Sequence, residues 1–168
     1  MLPLHRKLAS HKGIGVDIDH TLINGPGSPL LQEWIKENHQ QVELHLITFR
    51  DGKDFDLVER DITTFGITFD MFKGLHGVPA HIGPPFWAMS SRVGIRENVF
   101  RPKWLRALDY HKHTEEEYET LFQNIAMWKG AKCAELGLTA LIDDLEHFVV
   151  PGCTSHGIEW INALALND

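Results

Sequence analysis

Asp17 and Asp19 stand two apart, directly after the short apolar run Gly13 to Val16, and Asp143 and Asp144 stand together after the apolar residues that end in Ile142. A third run, Leu44 to Ile47 with His45 inside it, stops at Thr48. Carboxylates are ligands for hard cations and, when paired, general acids and bases. A hydroxyl from Thr48 and an ammonium from Lys129 add donors for an anionic group. Two or three carboxylates, a hydroxyl and an ammonium in one crevice suit a hard cation and a phosphoryl group better than most ligands. An Asp-x-Asp pair alone is more often a turn or a helix cap. Here it ends a strand-like run, is followed by Thr21 and is matched by a second acidic pair late in the chain.

For these residues to meet, the elements that carry them must share an edge. Gly13 to Val16, Leu44 to Ile47 and Thr139 to Ile142 read as strands, each stopping at a polar residue. Between the first two, Ser28 as N-cap and Pro29 at the first helical position open a helix with Leu30, Leu31, Trp34 and Ile35 at helical spacing. A second helix is expected from about Asp54 to Phe65, stopped by Gly66, and Ile67 to Met71 reads as a third strand. Lys73 to Pro85 is dense in Gly, Pro and His and reads as loop. Pro102 to His111 suggests a short helix. Thr114 and Glu117 form a capping box for a longer one, which Gly130 breaks or softens and Gly137 ends. A last helix is expected over about Ile158 to Leu166. Such alternation predicts a single α/β domain over residues 1–168, with an open, mostly parallel sheet covered by helices on both faces. In such a sheet the functional edge lies at the carboxyl ends of the strands, where Asp17, Thr48 and Asp143 fall. Lys129 reaches the same edge if the helix restarts near Gly130.

The residues Gly-Ile-Gly-Val-Asp17-Ile-Asp19-His-Thr21-Leu22 resemble the DxDxT signature of the haloacid dehalogenase superfamily, Leu-Ile-Thr48-Phe-Arg50 resembles its second motif, and Leu-Ile-Asp143-Asp144 its DD-type fourth motif. The motifs occur in the family's order from about Gly13 to Gly152, apart from roughly Lys73 to Met127. The resemblance implies a Rossmann-like three-layer sandwich and a Mg²⁺-dependent phosphohydrolase acting on a phosphomonoester. Asp17 would be the nucleophile that forms an aspartyl-phosphate, and Asp19 the acid/base. Thr48 and Lys129 would hold phosphoryl oxygens. Asp17, the backbone carbonyl of Asp19, and Asp143 or Asp144 would hold Mg²⁺. Thr21 would support the turn. Lys132, about 4.5 Å of helical rise from Lys129, competes for the lysine role, and Arg50 is open between a phosphate contact and a salt bridge. The stretch 73–127 is the candidate insertion or lid. Its Arg92, Arg96, Arg101, Lys103, Arg106 and Lys112 mixed with Phe100, Trp104 and Tyr110 would suit an anionic substrate with a stackable base.

The remaining features narrow the class. A formal charge of −7 argues against a surface built to coat nucleic acid or acidic lipid. There is no span-length apolar stretch and no signal-peptide core, so a cytoplasmic protein is expected. Cys133 and Cys153 make no disulfide framework and read as buried or idle thiols. His76, His81, His111 and His113 read as solvated histidines rather than a transition-metal site, and Trp34, Trp87, Trp128 and Trp160 as core or partly buried aromatics. The favoured substrate is a small phosphorylated metabolite or nucleotide. Alternatives are a polynucleotide-end phosphatase and a non-catalytic phosphate- or metal-binding protein on the same fold. A receiver-type phospho-acceptor module fits less well, because the acidic pair comes late and the DxDxT pattern first. A dinucleotide-binding fingerprint fails because Ile18 stands where a third glycine is needed.

Overall fold

The computed structural model describes residues 3–8, 10–51, 55–86 and 114–166. Helix α1 (Pro3–Leu8) precedes β1 (Gly13–Val16), followed by α2 (Ser28–Asn38), β2 (Glu43–Asp51), α3 (Phe55–Thr63) and β3 (Gly74–Val78). After residues 87–113, which lie outside the described residues, come α4 (Glu115–Glu135), β4 (Ala140–Asp143), α5 (Glu146–His156) and β5 (Glu159–Asn162). The expected helix over Pro102 to His111, Trp87, His111, His113 and the basic and aromatic residues from Arg92 to Lys112 all fall in that outside stretch.

The five strands form one sheet in the order β3-β2-β1-β4-β5, with every neighbouring pair parallel. The α/β architecture with a parallel sheet between helical layers is as expected. Alternation along the strands sorts the two faces. Ile14, Val16, Leu44, Leu46, Ala140 and Ile142 pack with Leu4 and Leu8 of α1, Leu31 and Ile35 of α2, and Val58 and Ile62 of α3. On the other face Ile47, Val78 and Leu141 pack with Ile125, Trp128 and Cys133 of α4 and Phe148, Val149 and Cys153 of α5. Successive strand residues point to opposite faces, so Gly15 lies beneath α4. A Cβ there would stand 3.1 Å from Cys133 Sγ. The missing side chain lets α4 lie close to the middle of the sheet. Among the described residues no helix is long and apolar enough to cross a membrane.

Four expectations need correction. The third strand is Gly74–Val78, inside the stretch read as loop, and not Ile67–Met71, where Phe69–Met71 forms a 3-10 turn. An edge strand with two glycines carries little pattern of its own; pairing with β2 makes it a strand. The chain end reads as helix but forms β5 and a 3-10 turn at Ala163–Ala165. The last helix is α5, whose interior Pro151 obscures it in the sequence. The residue capping α2 is Gly27, not Ser28, whose hydroxyl instead donates to Thr21 O at 2.7 Å and accepts from Gly25 N at 2.8 Å. Finally, α4 runs unbroken through Gly130 behind its expected Thr114 and Glu117 capping box. Gly130 serves the crossing of α4 and α5. A Cβ there would lie 2.1 Å from the carbonyl carbon of Gly152, and one on Gly152 would lie 2.7 Å from Met127 O.

Candidate functional site

The strand order places β1 in the centre, with the chain leaving toward β2 on one side and returning to β4 on the other. The crevice beyond the carboxyl ends of β1 and β4 is therefore the topological switch point, where parallel sheets bind ligands. Asp17 follows β1 directly, its backbone N–H still bonded to Ile142 O at 3.0 Å, and Asp143 is the last residue of β4. Carboxylate oxygens of Asp17, Asp143 and Asp144 all lie within 4.8 Å of one another.

Lys129 reaches this edge from the interior of α4, not from a helix start. Asp17 lies on the α4 face because it is two residues beyond Gly15, and Asp143 because it is two beyond Leu141. The Lys129 ammonium is fully buried, donates to Asp17 Oδ1 and to Asp143 Oδ2 at 2.6 Å each, and sits 4.0 Å from the centroid of the Phe49 ring. Lys132 lies one turn away, paired with Glu135 near the surface. Among the described lysines it is Lys129, then, that joins the carboxylates. Asp143 is further fixed through Oδ1, which accepts from Leu145 N at 2.8 Å, and through its carbonyl, which accepts from the Trp160 indole at 3.0 Å. Thr21, wholly buried, donates to Asp144 Oδ1 at 3.2 Å, so it supports both the turn after β1 and the second acidic pair.

Three carboxylates and one ammonium share this crevice, and burial shifts them first, their mutual charges second. Burial pushes Asp17 up to about 8, with Lys129 pulling against it and the Asp143 charge adding to it. Burial and then Asp143 lift Asp144 above the ordinary carboxylate range. Burial alone would lower Lys129, but the combined attraction of Asp143 and Asp17 outweighs it and holds the ammonium above its usual value. A divalent cation would neutralise the surplus negative charge, and an all-oxygen donor set suits a hard one.

Asp19 is placed differently. It stands outside the three-carboxylate group, and its two oxygens accept from Arg50 Nε at 2.7 Å and Nη2 at 2.6 Å. Arg50 Nη1 donates to Asp61 Oδ2 at 2.9 Å, so the guanidinium forms a salt bridge and not an open phosphate contact. Thr48 is buried, and its Oγ1 accepts from Arg50 N at 3.2 Å. Residues of β2 and β3 stay in register to Thr48 opposite Gly77, but the next pair is Asp51 opposite Val78. Phe49 and Arg50 form the bulge between them. A bulge re-aims side chains, and here it sets Phe49 against Lys129 and Arg50 against Asp19. Asp61 and the bulge were missed in the sequence, since neither leaves a mark in spacing or composition.

The histidine reading also changes. His76 lies on β3, not in a loop, and its Nε2 faces His45 Nδ1 at 3.1 Å, while His45 Nε2 meets Glu43 Oε1 at 3.0 Å. The Glu43 carboxylate on one side and the His76 ring on the other hold the His45 ring between them. Trp34 and Trp128 are buried, Trp160 is partly so, and both cysteines are buried free thiols.

No family model matches this sequence, and no curated protein matches it. Among solved structures the chain is similar to the crystal structure of an uncharacterized protein from Corynebacterium glutamicum ATCC 13032 Kitasato. The match covers 90% of this chain and 83% of that one, at a TM-score of 0.40 and 14% identity. At that level of likeness the reading of the site rests on its own geometry.

Proposed function

We propose that the chain is a Mg²⁺-dependent phosphomonoester hydrolase of the haloacid dehalogenase type, with a small phosphorylated metabolite or nucleotide as substrate. The observation that carries this reading is the gathering of Asp17, Asp143, Asp144 and Lys129 in the switch-point crevice, with carboxylate oxygens within 4.8 Å of one another and two 2.6 Å lysine bonds. The donor set fits the metal: Asp17, Asp143 and Asp144 would hold Mg²⁺ with the main-chain carbonyl of Asp19. When bound, Mg²⁺ would supply charge neutralisation for the phosphoryl oxygens and for the entering carboxylate.

The chain's own residues divide the remaining work. Lys129 fixes Asp17 through Oδ1, which leaves Oδ2 to attack phosphorus. As that O–P bond forms, the P–O bond to the organic group breaks, its electron pair goes to the leaving oxygen, and Asp19 supplies the proton. A water oxygen then attacks the acyl phosphate with Asp19 taking its proton, and the bond to Asp17 breaks, restoring the carboxylate. An ammonium has three N–H donors, and Lys129 gives two to carboxylates, so one is left for a phosphoryl oxygen. Thr48, at the end of the in-register part of β2, supplies the hydroxyl.

The test is Mg²⁺-dependent phosphate release from nucleotides, sugar phosphates, an aryl phosphate and 5′- or 3′-phosphorylated oligonucleotides, with Asp17→Asn in parallel. Release that needs both Mg²⁺ and Asp17 supports the reading, and the best substrate chooses between metabolite and nucleic-acid end. Mg²⁺ binding without release from any member of the panel would overturn it in favour of a non-catalytic binding role.

A further inference from the structure

We propose that Arg50 and Asp61 are positioning residues for the acid/base step, a clamp built by the β2 bulge that holds the Asp19 carboxylate in one orientation. The inference rests on the role given to Asp19 above and deepens it. Asp19 is about half exposed and follows the end of β1 in a turn where His20 has φ 56. An exposed Asp side chain on such a turn has several rotamers open to it. The Arg50 fork removes that freedom, because two parallel N–H···O bonds fix the carboxylate plane as well as its distance. The fork is itself held at two further points. Nη1 is bonded to Asp61 on α3, and the Arg50 backbone N–H is bonded to Thr48 Oγ1. Asp61 neighbours Ile62, which is buried in the core, so the anchor is tied to the packing of α3.

The clamp does not block proton transfer. Each carboxylate oxygen has two acceptor positions, and the fork uses one on each, so a position remains for the proton that passes to the leaving oxygen and later comes from water. Asp61 belongs to none of the three recognised motifs and lies outside the carboxylate group. Its influence on the reaction runs only through Arg50 and Asp19.

Leaving-group dependence separates this role from a general structural one. A misplaced acid slows substrates whose leaving oxygen needs a proton, such as alkyl phosphates, and spares those with an acidic leaving group, such as nitrophenyl phosphate. Arg50→Met and Asp61→Asn are compared with wild type on both substrate types, with Mg²⁺ present. Both variants are expected to lower kcat on alkyl phosphates by about 10- to 100-fold, below or at the low end of what a positioned general acid contributes, with nitrophenyl phosphate changed by less than about threefold and KM little altered. Asp61→Glu should recover part of the alkyl-phosphate rate. Arg50→Lys should recover less, since a point charge cannot make the fork. Equal losses on both substrate types would overturn the clamp while leaving the hydrolase reading intact. A wild type that releases no phosphate from any substrate would remove both. Should Arg50→Met fail to fold, Asp61→Asn, which keeps the side-chain shape, decides alone.

Discussion

Replacing Lys129 by Met tests the electrostatics of the site without assuming any activity. The side chain is fully buried, and its two 2.6 Å bonds tie together Asp17 and Asp143, themselves almost and wholly buried. Methionine keeps much of the volume and the contact with Phe49, so packing loss is small. What the substitution removes is the only cation among the described residues bonded to either carboxylate. Breaking a buried pair from one side costs about 3–5 kcal/mol, because a charge is left buried without compensation. For a chain of this size 1 kcal/mol moves Tm by about 2–4 °C, so the variant should melt about 6–20 °C below wild type when divalent cations are chelated. Lys132→Met is the control. Its Lys132–Glu135 pair is at the surface, where water screens the attraction, so its loss should leave Tm close to that of wild type. Adding Asp143→Asn to Lys129→Met should return part of the loss, since one stranded charge is gone, and Mg²⁺ should return part by replacing the cation. Calorimetric melts with and without chelator measure all of this. A Lys129→Met protein that melts with wild type in chelator, or a double variant no more stable than the single, would refute the reasoning.

Other consequences can be checked alongside. Mg²⁺ at about 100 times its Kd should stabilise the wild type by about 2.7 kcal/mol, and Asp143→Asn or Asp144→Asn should need far more Mg²⁺ for the same rise in Tm; equal responses would remove the metal site. Gly130→Ala should destabilise by at least about 3 kcal/mol, the upper part of the usual range for overpacking, because its Cβ would meet the Gly152 backbone at 2.1 Å; a denaturant melt measures it. Cys133 and Cys153, whose thiols burial pushes up to about 12, should resist a thiol reagent at pH 8 until the chain is unfolded. Burial first, and His45 second, hold His76 below its ordinary value. The unfolded chain therefore takes up that proton first as pH falls, so the His76 contribution to stability is fully present above pH 6.5 and is lost below it. His76→Gln should flatten the fall in stability between pH 7 and 5, and an unchanged slope would contradict this.

The sequence determined the fold class and the sheet edge at which the candidate residues gather because both depend on local pattern. Apolar runs ending at Asp17, Thr48 and Asp143 mark buried parallel strands, and in a parallel sheet their carboxyl ends must share an edge. The buried motif strands were legible for the same reason that β3 and β5 were not. A strand at the edge of the sheet needs less apolar surface, so Gly74–Val78 looked like loop and Glu159–Asn162 like part of a helix. Lys129 over Lys132 was decided by facing, since only the packing of α4 over Gly15 points one of them at Asp17 and Asp143. Gly130 showed the opposite limit: read as breaking or softening the helix, it is the contact point of two helices, because the neighbour that demands it, Gly152, lies far along the chain. The Arg50 fork on Asp19 and its anchor at Asp61 belong wholly to tertiary structure. They arise from a two-residue slip between β2 and β3, and a slip in register exists only once two strands are paired.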